Sequence, residues 1–165
     1  MTEQRAGAQA SDRAGDRATE RAGDDADSWI TTQVGASGYR VEIRAGGHVL
    51  VADEPVRVGG TDAGPTPYDY LLSALGGCMA MTLRMYADRK GWPLEGARVQ
   101  LRTARSHEAD CEQCATEKVG ITQIERRVEL SGPLTDEQRT RLLQIADRCP
   151  VKQTLERGIE VMSAR

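Results

Sequence analysis

Residues 66–91, TPYDYLLSALGGCMAMTLRMYADRKG, constrain the fold more than any other stretch of this chain. Thr66 can cap a helix, Pro67 suits its first position, Asp69 stands three residues after the cap, and Gly91 supplies a stop. The pattern predicts a helix of about 24 residues, roughly 36 Å long, enough to run through the middle of a small domain. Leu71, Leu72, Leu75, Cys78, Met79, Thr82 and Met85 or Tyr86 mark its expected buried side. Gly76 and Gly77 break that pattern at about 1 kcal/mol each relative to alanine. They predict the close approach of another backbone, from this chain or from a second subunit.

The elements around the helix follow from local pattern. SWITTQVGASG, YRVEIRAGG and HVLVADEP are short β-branched runs divided by glycines and turn residues, and they predict a three-stranded antiparallel unit. RVGGTDAGPTP reads as a loop leading into the helix. After the helix, ARVQLRTARSHEA and GITQIERRVELSG alternate polar and apolar residues and are expected to pair as a hairpin. LTDEQRTRLLQIADRC carries a second capping box at Thr135 and Gln138, with Leu142, Leu143, Ile145 and Ala146 inward. Pro150 interrupts it, VKQTLERG is a further short helix, and IEVMS a closing strand. Because strands cluster rather than alternate with helices, the order βββ-α-ββ-αα-β is an α+β fold.

With 165 residues the chain suits one domain plus a tail. Residues 1–27 repeat an Arg-Ala unit among acids with almost no large apolar side chains, and are expected to be a disordered tail; residues 28–165 form the domain. A transit peptide is the rival reading of the tail, but such peptides avoid acids. The net charge of −3 argues against nucleic acid or an anionic membrane as partner and for a small molecule or a protein. No apolar run reaches the ~18 residues of a membrane span, and the N-terminus has no apolar secretory segment, so the expected location is the cytoplasm. There the four cysteines are expected as reduced thiols open to redox or metal chemistry.

Two of those thiols stand out. Cys78 follows the glycine pair and is either a small core residue or a nucleophile. A nucleophile must be a thiolate, and an ordinary cysteine is only about 3% ionised at pH 7. Cys78 lies three turns into the helix, beyond the reach of the dipole, so activation calls for a nearby cation. Arg40 and Arg44 on the first strands are the candidates, Arg40 preferred, and Asp69 could orient the arginine or simply cap its own helix. Cys149, directly before Pro150, sits at a helix junction where a resolving thiol could condense with a sulfenic acid.

GPTPYDYLLSALGGCMAMTL followed by IADRCPVKQTL resembles the OsmC/Ohr family of bacterial thiol peroxidases, from about Trp29 to the C-terminus. The resemblance implies an OsmC-like fold, with antiparallel sheets around a long central helix, in an intertwined homodimer with two sites at the interface. It implies Cys78 as peroxidatic thiol, Cys149 as resolving thiol, and a Cys78–Cys149 disulfide formed in oxidative stress defence. Arg40 would hold the thiolate and Asp69 orient the arginine. Organic hydroperoxides, with hydrogen peroxide as a second substrate, and a dithiol reductant are the implied partners, and no cofactor is needed. Peroxidases of this family carry a glutamate directly after the motif proline; this chain has Tyr68 there and Asp69 next, a turn of about 100° around the helix.

A second motif lies outside that resemblance. SHEADCEQC gathers His107, Asp110, Cys111 and Cys114, and Cys-x-x-Cys is half of a zinc site, a redox pair or a passive loop. Two other functions therefore stand beside the peroxidase: a redox sensor or binding protein with little turnover, and a zinc-binding module using His107, Cys111 and Cys114. His48 follows a Gly-Gly turn and is expected in solvent.

Overall fold

The computed structural model describes residues 29–103 and 123–163. Strands β1 (Thr31–Val34), β2 (Val41–Ala45) and β3 (His48–Ala52) form one antiparallel sheet in sequence order. A loop with a short 3₁₀ turn (Val56–Val58) leads to α1 (Pro67–Lys90). Strands β4 (Gly96–Thr103) and β5 (Ile124–Ser131) form an antiparallel pair, followed by α2 (Asp136–Ala146) and α3 (Pro150–Arg157). This is the α+β order expected, save at its end. IEVMS does not form the closing strand: residues 158–163 are irregular, and Ile159, Val161 and Met162 are exposed, so no described strand offers them a ladder.

The loop before α1 sets where the helix begins. Asp53 is buried, and its carboxylate accepts hydrogen bonds from the backbone of Glu54, Thr61 and Ala63 and from the Thr61 hydroxyl. A Cβ on Gly60 would stand 1.8 Å from the Glu54 carbonyl oxygen and one on Gly64 2.2 Å from that of Val51, so only glycine lets the loop close. Tyr70 Oη then donates to the Val51 carbonyl at 2.6 Å and ties the first turn of α1 to β3.

The core lies between α1 and the β4–β5 hairpin. Leu83 and Ala87 of α1 pack with Leu94, Leu134, Leu142 and Ala146, while Leu75 and Met79 pack with Cys149. The buried stripe is thus Leu75, Met79, Leu83 and Ala87, one residue per turn. Of the alternatives Met85 or Tyr86, it is Tyr86 that packs against the core; Met85 points out, as does Leu143 on α2. The three-stranded sheet adds little to this core: every residue of β1 is exposed, as are Val49 and Leu50 on β3.

Candidate active site

Cys78 is reached by counting along α1 from its cap. Thr66 Oγ1 accepts from the Asp69 backbone N–H, and Asp69 Oδ2 accepts from the Thr66 backbone at 3.0 Å and hydroxyl at 2.7 Å, a complete capping box. Eleven residues into the helix, Cys78 is half-buried at the edge of the inward stripe. Thr82 Oγ1 donates to its carbonyl at 2.7 Å. Beside it, a Cβ on Gly76 would lie 3.2 Å from Leu101 Cδ1 and one on Gly77 would meet nothing within 4 Å. Among the described residues Gly76 therefore admits a leucine side chain, and neither glycine meets the backbone of another element of this chain within 4 Å.

Cys149 arrives from the other side. Pro150 cannot continue α2, so the chain turns and starts again as α3 with Cys149 as its N-cap. Its side chain is fully buried against Leu75, Met79 and Cys78, with Val99 and Leu101 of β4, Ile124 of β5, and Val151 and Leu155 of α3 around them. Both thiols are free. Burial first, and the adjacent Cys78 thiol second, push the Cys149 thiol above its ordinary range, although the backbone N–H groups of Lys152 and Val151 pull it down.

Next to Cys149 lies a charged network not foreseen from the sequence. Arg126 Nη2 is 2.7 Å from Asp147 Oδ1, Lys152 Nζ is 3.4 Å from the same oxygen and bonds Glu156, and Arg126 Nη1 reaches Met79 Sδ at 3.9 Å. Glu156 and then Asp147 hold the Lys152 ammonium above its usual range, against burial. The sequence did carry a signal. Ile124, Arg126, Val128 and Leu130 share the inward phase of β5, and an arginine in that phase asks for a buried partner. Leu71, Leu75, Met79, Leu101, Arg126 and Leu155 line part of a groove of about 540 Å³, which shares its Leu75–Met79 wall with the thiol cluster.

The other predicted residues are elsewhere. Arg40 immediately precedes β2 and is exposed, Arg44 pairs with Glu42 at 2.6 Å on the same sheet, and Asp69 is engaged at the helix cap. Among the described residues no hydrogen bond or ion pair joins Arg40 or Arg44 to Cys78 or to Asp69. His48 is exposed at the start of β3. His107, Asp110, Cys111 and Cys114 lie outside the described residues, as does the 1–27 tail. Among the described residues no three metal-binding side chains converge, and no helix is long and apolar enough to cross a membrane.

A family model for OsmC-like protein matches residues 60–163, which include Cys78, Cys149 and Asp69 and exclude Arg40. The chain belongs to the OsmC-like family. Solved structures share its fold. An OsmC-like protein from Mycoplasma pneumoniae aligns with a TM-score of 0.64 at 19% identity, over 80% of this chain and 89% of that one. A Legionella pneumophila protein described as an organic hydroperoxide resistance protein OsmC aligns with a TM-score of 0.55 at 19% identity, over 76% and 86%. An OsmC-like protein of unknown function from Vibrio cholerae aligns at 0.56 and 14% identity, over 76% and 92%. Among curated protein sequences, none matches this OsmC-like chain.

Proposed function

We propose that this OsmC-like protein is a cytoplasmic thiol peroxidase that reduces organic hydroperoxides in defence against oxidative stress. The observation that carries the reading is the pairing of Cys78 and Cys149 as free thiols in one apolar cluster, contributed by α1 and the N-cap of α3. The Cys78 thiolate attacks the outer peroxide oxygen, the O–O bond breaks, and the alkoxide leaves and takes a proton to become an alcohol. Cys78 is now a sulfenic acid. The Cys149 thiol displaces its hydroxyl as water and the disulfide forms. An external dithiol then returns both cysteines to thiols and is itself oxidised.

The groove beside the thiols has a wall of Leu71, Leu75, Met79, Leu101 and Leu155 for an alkyl group, beside the polar Gln123, Arg126, Lys152 and Glu156, and the name of the Legionella neighbour is in keeping with an organic peroxide. We also assign the working form as a homodimer. Met81 and Met85 are 68% and 62% exposed, and with exposed Ala74 and half-buried Gly77 they form an apolar stripe along α1 that the protomer leaves largely uncovered. In such a dimer Arg40 or Arg44 of one copy can serve Cys78 of the other, and Asp69 is free to exchange its cap for an arginine.

Intact and peptide mass spectrometry of the reduced protein after one equivalent of cumene hydroperoxide tests the mechanism, with hydrogen peroxide and Cys78→Ser alongside. A Cys78–Cys149 disulfide forming faster with the organic peroxide is the expected result. Unmodified Cys78, or oxidation confined to Cys111 and Cys114, would sink it. A redox sensor on the same thiol pair is the second reading, favoured by the use of Asp69 at the cap; it predicts the disulfide without turnover on added dithiol.

A further inference from the structure

We propose that Asp147, held by Arg126 and Lys152, latches the α2–α3 junction shut over Cys149 and so reserves that thiol for Cys78. The purpose of the latch rests on the peroxidase reading, but its existence does not. Cys149 lies between Asp147, the C-cap of α2, and Lys152 in the first turn of α3. Lys152 Nζ reaches back to Asp147 Oδ1 at 3.4 Å and closes the chain across the junction, while Arg126 Nη2 meets the same oxygen at 2.7 Å and ties the junction to β5. Gln153 Nε2 adds a bond from α3 to the Arg148 carbonyl at 3.2 Å.

The helix that carries Cys149 needs such a hold. α3 has eight residues, none of them fully buried, and a helix that short is marginal on its own. Pro150 has no N–H with which to continue the hydrogen bonds of α2, and the apolar grip of α3 is Val151 and Leu155, both half-buried. Cys149 at its N-cap is nevertheless fully buried. The latch is itself drawn out of water, with the side chains of Arg126 and Lys152 only 28% and 23% exposed, so its ion pairs are screened less than pairs on the open surface. Arg126 Nη1 also reaches Met79 Sδ at 3.9 Å, and Met79 packs in the cluster with Cys149, so the latch and the thiols share a side chain. A reagent from outside then meets half-buried Cys78 first, and Cys149 stays unreacted until Cys78 is oxidised. Asp147 touches no reacting atom and is a positioning residue.

The full-length reduced protein is labelled with N-ethylmaleimide, and the Cys149 peptide is followed by mass spectrometry. Asp147→Asn and Arg126→Gln are each expected to label Cys149 about tenfold faster than wild type, and the double variant no faster than Asp147→Asn alone, because both substitutions remove one contact. The rates are expected to stay flat through low urea concentrations, since a local opening exposes little surface. Lys152→Gln spares the Arg126 pair and serves should Asp147→Asn not fold, with an expected gain of about threefold. Unchanged Cys149 labelling in these variants would overturn the proposal. So would single effects that multiply in the double variant, or rates that climb steeply with the first urea added, which mark general unfolding rather than a latch. If Cys149 is released as expected yet cumene hydroperoxide leaves wild-type Cys78 unoxidised, the latch stands and the peroxidase reading falls.

Discussion

One carboxylate organises the approach to the long helix. Asp53 Oδ2 accepts from the Thr61 hydroxyl at 2.6 Å and from the Thr61 and Ala63 backbone at 3.0 and 3.1 Å, and Oδ1 accepts from Glu54 N–H at 2.8 Å. The Thr61 hydroxyl is the largest cause of a pKa lowered to about 2, and it outweighs the burial that acts the other way. A carboxylate depressed in the folded state stabilises it above the unfolded value, near 4, and that contribution is lost as pH falls through the folded value, near 2. Asp53→Asn turns an amide N–H₂ toward these donors. It is expected to lower the melting temperature by several degrees at pH 7, with the gap to wild type closing as pH is taken from 4 to 2; thermal melts across that range check it. At this scale the sequence exposes residue types but not partners. Cys78 and Cys149 were legible because a thiol beside a glycine pair and a thiol before a proline are locally unusual. Arg126 is locally unremarkable because its partner, Asp147, lies on another element.

Among the elements, α1 was the most legible and its orientation the least. Cap, proline and terminal glycine are local signals, and the helix runs from Pro67 to Lys90 with Gly91 in the left-handed conformation as its stop. Which residues face inward depends on a neighbour that local periodicity does not describe. The hairpin selects Leu75, Met79, Leu83 and Ala87, a row of fourth residues, and turns Met85 to solvent. Leu83, fully buried, is accordingly the strongest test of the core. Leu83→Ala is expected to cost about 3 kcal/mol, read as a lower urea midpoint, because the cavity is ringed by residues of α1, α2 and the hairpin that cannot all collapse into it. The closing strand failed for the complementary reason: IEVMS has strand-forming residues, but a strand exists only where another strand accepts its hydrogen bonds.

For the whole molecule the uncovered surface is the informative part. Met81 and Met85 on α1, Trp29 and Ile30 before β1, and Ile159, Val161 and Met162 after α3 are all exposed in the protomer. A homodimer that covers the α1 stripe is expected to sediment as a dimer in wild type and as a monomer for Met81→Glu, since one buried carboxylate per copy opposes association. A dimeric Met81→Glu protein would place the interface elsewhere. The sequence by itself determined the helices, the two antiparallel units and the two thiols worth watching, since caps, alternation and chain-breaking residues act over a few positions. Only the tertiary structure decided that Cys149 of one helix junction lies against Cys78 of another element, that Asp69 serves its cap and that Arg126 joins Asp147. Such pairings depend on how separate elements pack, and no short stretch of chain encodes the distance between them.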